Sequence, residues 1–124
     1  METLLNHTRR PDITFCRNGR IFISARVARL LDISPGDSIN ISVTDGEFLL
    51  FAMRHPFGLG RHIARCYPTK KHSRNLSANS VELCLKFFAA CNIQAQRAAF
   101  MTGEPLSCGE TTYLPIITRH PIIK

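Results

Sequence analysis

The apolar positions between Ile13 and Phe51 change period three times. Ile21 and Ile23 alternate with Arg20 and Phe22, which predicts a short strand with one face toward a core. Val27, Leu30 and Leu31 recur at helical spacing and give a narrow apolar stripe. Ile39, Ile41 and Val43 alternate with Asn40 and Ser42, again a strand that buries one face. Phe48-Leu49-Leu50-Phe51 is an unbroken apolar run, predicting a strand covered on both faces.

The punctuation agrees with this reading. Ser24 suits a helix N-cap, because its hydroxyl can accept from an orphan amide. Pro35 disfavours helix at Ser34, and Gly36 permits a tight turn. Asp45-Gly46 between the last two strands is a strong hairpin signal, since both residue types tolerate positive φ.

From Gly19 to Asp37 the order R-I-F-I-S, a short helix and P-G-D resembles, without a gap, the DNA-binding domain of AbrB/MazE-type swapped-hairpin (SpoVT-AbrB) proteins. The resemblance covers residues 13–51. It implies a mostly β fold with two short helices, an AbrB-like barrel in which two β-β-α-β-β halves interleave. It also implies duplex DNA as partner, contacted through basic β-turn loops. The chain departs from the family at Ser24, where proline is usual, at Ala28, where the family helix carries arginine, and at Asp32, a common glycine. The fold therefore transfers better than the binding mode. Arg26 and Arg29 carry charge at neighbouring positions but point elsewhere on the helix.

The second half can be laid over the first. Ile63–Tyr67 matches Ile13–Cys16, and Leu76-Ser77-Ala78 matches Ile23-Ser24-Ala25. A helix follows from near Ser80 to Cys91, about two turns longer than the first, with Asn79 as cap and Glu82 three residues on. Arg97–Met101 matches the Ile39 strand, and Thr112–Ile117 matches Phe48–Phe51. The expected organisation is an N-terminal tail (1–12), an AbrB-like half (13–53), a basic connector (54–62), a second half (63–118) and a C-terminal tail (119–124). In one arrangement a tandem repeat forms a pseudo-twofold barrel from a single polypeptide. In the other, one family-like half precedes an unrelated α/β segment. The second helix leaves only Glu82 and Lys86 polar, so it is expected to be buried on most sides, against a sheet or against a second copy of the chain.

Charge sharpens the functional expectation. The chain carries a formal +7, and no acidic residue lies between Glu47 and Glu82. That window holds Arg54, Arg61, Arg65, Lys70, Lys71 and Arg74, with His55, His62 and His72 beside them. Like charge in a block repels itself unless something acidic faces it, and phosphate is the obvious counterpart. A solvated connector is the plainer alternative. The expected DNA contacts are Arg17, Arg20, Arg26, Lys70, Lys71 and Arg74, mostly on phosphates, with one or two arginines reading guanine edges.

Other chemistry finds little purchase. The five cysteines include no C-x-x-C pair, and Cys66 with His72 and His62 is poor spacing for zinc, so no metal or other cofactor is expected. Cys84 and Cys91 share one apolar helix face and read as core thiols. No phosphate-binding glycine loop, H-E-x-x-H or paired carboxylate motif is present, so no enzyme is expected. No apolar run approaches the ~20 residues that cross a bilayer, and Met1–Leu5 lacks a signal-peptide pattern, so the expectation is a cytoplasmic protein without membrane contact. The alternative function is a protein-interaction module, antitoxin-like or ligand-sensing, with a folded rather than acidic C-terminal half.

Overall fold

A computed structural model describes residues 10–54 and 63–123. Ten strands and two helices follow one another: β1 (Ile13–Cys16), β2 (Arg20–Ile23), α1 (Ala25–Leu30), β3 (Ser38–Thr44), β4 (Glu47–Met53), β5 (Ala64–Arg65), β6 (Tyr67–Pro68), β7 (Leu76–Asn79), α2 (Val81–Ala90), β8 (Arg97–Thr102), β9 (Leu106–Cys108) and β10 (Thr111–Ile123). The strands form one antiparallel sheet in the order β5-β3-β4-β10-β8-β1-β2-β7-β6, with β9 on β10. β5 and β6, at the two ends of that order, are consecutive in the chain and joined through Cys66. The sheet thus curls into a nearly closed barrel.

The pairing interleaves the chain. β1 pairs with β2 beside it in sequence and with β8 far beyond it. In the later half β6 pairs with β7, while β5 pairs with β3. β2 meets β7, and β4 meets β10. Exchanging β1, β2, β3 and β4 for β5/β6, β7, β8 and β10 leaves this list of partners unchanged.

Both helices are built alike. Ser24 caps α1 by accepting from the Val27 amide, and Ser80 caps α2 by accepting from Leu83. Asp32 (φ 52°) and Asn92 (φ 55°) then turn the chain left-handed. Ile33 donates to the Ala28 carbonyl and Ile93 to that of Phe88, while Asp32 and Asn92 donate to Arg29 and Ala89. This is a Schellman closure, achieved with short polar side chains in place of glycine.

The structure corrects several expectations. The cap of α2 is Ser80, not Asn79, so Ser80 corresponds to Ser24. Leu76-Ser77-Ala78 instead lies in β7, opposite Ile23-Phe22-Ile21. The second helix exceeds the first by four residues (ten against six), about one turn rather than two. It is not buried on most sides either: Cys84, Phe87 and Phe88 are buried, whereas Val81 and Leu85 are exposed. Val43, expected inside, is exposed because β3 runs past the core into the Asp45-Gly46 turn, where both residues have positive φ. Segment 119–123, expected as a tail, continues β10. Asp12, placed in the N-terminal tail, is 1% exposed.

The core lies inside the barrel. Ile13 and Phe15 of β1, Ile21 and Ile23 of β2, Leu50, Phe100 and Leu114 are all essentially inaccessible. Phe87 of α2 reaches across this core, with its ring centroid 4.6 Å from Phe15, 5.2 Å from Phe100 and 5.3 Å from Phe48. Such tilted and edge-on pairs add to the burial of the rings themselves.

Candidate nucleic-acid interface

With Ile21 and Ile23 facing the core, strand alternation turns Arg20 and Phe22 outward. The same rule, read through the register, turns Thr14 and Cys16 of β1, Arg97 and Ala99 of β8, and Ser77 and Asn79 of β7 to the same outer surface. Four adjacent strands thus present one continuous face. Phe22 stands near its middle, with the Arg20 guanidinium 5.8 Å and the Arg97 guanidinium 5.6 Å from its ring centroid. Both distances suit cation–π attraction.

The β6–β7 loop borders this face. Thr69 donates its amide to the Asn75 carbonyl (3.0 Å) and Ser73 donates to that of Lys70 (3.0 Å), with His72 at φ 64°. Asn75 Oδ1 accepts from the Ala25 amide (2.9 Å), tying the loop to the start of α1. Lys70, Lys71, His72 and Arg74 all point into solvent. The loop and Arg20 lie at opposite ends of the β2–β7 ladder, about 10 Å apart at ~3.4 Å per residue.

The predicted contact residues therefore divide. Arg20, Lys70, Lys71 and Arg74 are exposed on or beside one face. Arg17 is half-buried, with Nε donating to Ala95 O (2.7 Å) and Nη2 to Ile93 O (2.6 Å), and its guanidinium 5.0 Å from the Phe88 ring centroid. Arg26 places Nη1 3.3 Å from Asp12 Oδ2 and 3.4 Å from Thr102 Oγ1. Arg54 from the basic window plays a part like that of Arg17. It donates to the carbonyls of Leu31 and Asp32 at the end of α1 and to the buried Asp37 carboxylate (2.9 Å). Arg61, His55, His62 and His7 lie outside the described residues. Sequence reasoning passed over Arg97 as a site residue. Its outward direction was legible from Ala98 and Phe100, but its neighbours come from β1 and β2, some 75–80 positions away.

The described acidic residues belong to other parts of the fold. Of the nine in the chain, Asp12, Asp32, Asp37 and Glu82 sit in ion pairs with Arg26, Arg54 and Lys86. Asp45, Glu47, Glu104 and Glu110 belong to the β3–β4 turn and the β8–β10 connection. None of these four lies on β1, β2, β7 or β8, the strands of the basic face.

Three of the five thiols are held protonated. Burial, then the neighbouring Asp37 carboxylate, pushes Cys66 up to about 12. Burial pushes Cys84 up to about 11, against a backbone hydrogen bond from Cys16 that lowers it, and burial alone pushes Cys91 to about 11. At neutral pH these groups are poor nucleophiles and poor metal ligands. Among the described residues no helix is long and apolar enough to cross a membrane. No family model, no curated protein and no solved structure matches this chain. The geometry therefore carries the functional argument.

Proposed function

We propose that this is a DNA-binding protein, a cytoplasmic transcription regulator and not an enzyme, built as a tandem swapped-hairpin barrel of the AbrB type. One observation carries the reading. Arg20, Lys70, Lys71 and Arg74, joined by Arg97, form an exposed cationic surface, and every described acidic residue either pairs with another cation or belongs to the β3–β4 turn or the β8–β10 connection. A cluster maintained without internal counter-charge suits a polyanion, because release of condensed counterions drives its association with phosphate.

In this reading the outer surface around the β2–β7 ladder lies along the duplex, with the basic β6–β7 loop at its border. Lys70, Lys71 and Arg74 lie on phosphates. Arg20 is placed for a base edge or a phosphate. Arg17 and Arg26 brace the turns that aim these residues, since their donors are spent inside the fold. The interleaved pairing supports the tandem architecture, and its near-twofold arrangement suits a roughly palindromic site.

The test is fluorescence anisotropy on a random-sequence 30-mer duplex across a salt series, comparing the wild type with Lys70→Ala/Lys71→Ala/Arg74→Ala. Three lost phosphate contacts lower the log–log salt slope by roughly 2 to 3. An unchanged slope, or no binding at 50 mM salt, refutes the reading.

A second reading, a protein-interaction module, has its own support. Val81 (49% exposed) and Leu85 (43%) lie four apart on α2 and form an apolar strip that the barrel does not cover. A second copy or another protein recovered stoichiometrically at high salt, without heparin retention, favours it.

A further inference from the structure

The outer face holds a concavity that phosphate binding does not require. A groove of about 700 Å³ lies over Phe22, floored by Thr14, Ala99 and Ile122, with Arg10 and Arg97 on its rim and Asn75 at the loop end. Among the described residues no acidic side chain lines it. Its volume falls within the range of small-molecule sites, roughly 300–1,000 Å³. A duplex backbone is convex and needs cations on a surface, not an apolar hollow.

The chemistry inside is mixed in one particular way. Phe22 offers an aromatic surface at the bottom, half-buried and steadied by two guanidinium groups. The floor beside it is methyl and methylene. Two arginines mark the rim. Asn75 spends its Oδ1 on the Ala25 amide, which fixes the side chain and leaves its NH2 to donate. A ligand complementary to all of these is flat and aromatic, bears a hydrogen-bond acceptor at its edge, and carries an anionic group a few ångströms away.

We propose that this groove binds a nucleoside phosphate, its base against Phe22 and its phosphate on Arg97 and Arg10. The site goes beyond the duplex contact and does not depend on it, although Arg20, assigned to the duplex, also packs against the Phe22 ring. Two sources supply this ligand chemistry. One is a free nucleotide acting as an effector. The other is the unpaired 5′-phosphorylated end of a nucleic-acid strand.

Calorimetric titration with AMP and with adenosine, on the full chain, reads the free ligand. Anisotropy with a blunt duplex and with one bearing an unpaired 5′-phosphorylated adenosine reads the tethered one. Phe22→Leu keeps an apolar side chain but removes the ring, and weakens either interaction about tenfold. Arg97→Gln weakens AMP by a similar factor and leaves adenosine unchanged. AMP binding with this pattern establishes the effector site. A preference for the overhang that vanishes in Phe22→Leu, without AMP binding, establishes the strand-end site. If neither AMP nor the overhang shows a Phe22-dependent gain, the groove is no nucleotide site and the inference falls. Blunt-duplex binding and its loss in the Lys70/Lys71/Arg74 variant judge the duplex reading separately, so either idea can fail while the other stands.

Discussion

Asp12→Ala is expected to be the most damaging single polar substitution in this protein. The Asp12 side chain is buried at the junction between the first strand and β8. Its Oδ2 accepts from the Thr102 amide at 2.8 Å and from Thr102 Oγ1 at 2.7 Å, and Arg26 Nη1 lies 3.3 Å away. Truncation deletes the acceptor and leaves a buried N–H with no partner. Hydrogen bonds to a charged group contribute about 1.5–3 kcal/mol each, and stranding one partner of a buried polar set costs about 3–5 kcal/mol. The Arg26 side chain is about one-third exposed, so its share is discounted to below about 1 kcal/mol. The expected loss is about 3–4 kcal/mol, a large part of the roughly 5–15 kcal/mol that a domain of this size holds. With a urea m-value of about 1.5 kcal/mol/M the unfolding midpoint falls by roughly 2 to 2.7 M. Urea titration followed by far-UV circular dichroism measures this. Arg26→Ala, run alongside, should shift the midpoint by about 0.7 M or less. If Asp12→Ala shifts it no more than Arg26→Ala does, the carboxylate is not the anchor described.

Arg17→Ala removes two hydrogen bonds and a ring contact at the end of α2 and should cost about 2 kcal/mol in the same titration; Arg17→Lys, lacking the planar fork, should recover less than half. Gly19→Ala should destabilise by about 2 kcal/mol or more, because φ is +100° and the new Cβ would lie 2.7 Å from Asn79 Oδ1 and 2.8 Å from the Val81 backbone nitrogen. The thiols make a pH prediction. Burial raises Cys66, Cys84 and Cys91 from 9.0 to about 11–12 in the fold, so the native state holds protons that the unfolded chain releases. Their stabilising contribution is complete below about pH 9 and is lost as pH rises toward 11–12; urea midpoints from pH 8 to 11 should fall, and less steeply in Cys66→Ala. At pH 8 in native buffer the exposed Cys108 should react with a thiol reagent well before Cys66, which should wait for unfolding; equal rates would contradict the burial.

Much of the local structure was legible because local physics decides it. Alternation around Ile21 and Ile23 fixed both the strand and the outward direction of Arg20 and Phe22. The Ser24 cap and the Asp45-Gly46 turn depend on neighbours within a few residues, and both formed as read. The misreadings share a different cause. An arginine in the sequence Arg17-Asn18-Gly19-Arg20 looks like a solvated turn residue, yet the carbonyls that hold Arg17 belong to Ile93 and Ala95. Asp12 looks like tail until Thr102, ninety positions on, meets it. The nearly all-apolar look of α2 suggested burial on most sides, but a ten-residue helix against a barrel can turn only one side inward, which leaves Val81 and Leu85 exposed. Even the cap was displaced by one residue, because Asn79 is needed to complete the ladder with Arg20.

The interleaving of the two halves also bears on the proposed interface. Thr14 faces the groove, while Ile13 and Phe15, on either side of it, face the core. Ala99 stands outward between Ala98 and Phe100, both fully buried. The groove floor at Thr14 and Ala99 is therefore the back of strands whose inward side chains are fully buried, and it moves only if the core moves. Side chains mounted on such strands hold their spacing better than the same side chains on a loop. Arg20 and Arg97 have this footing, and each comes from a different half of the chain. Lys70, Lys71 and Arg74 do not, since their loop is anchored chiefly by Thr69, Ser73 and Asn75. The division matches the two tasks assigned to them. Phosphates tolerate adjustable cations, because their contribution is summed charge and released counterions, whereas a base held against Phe22 requires a fixed ring.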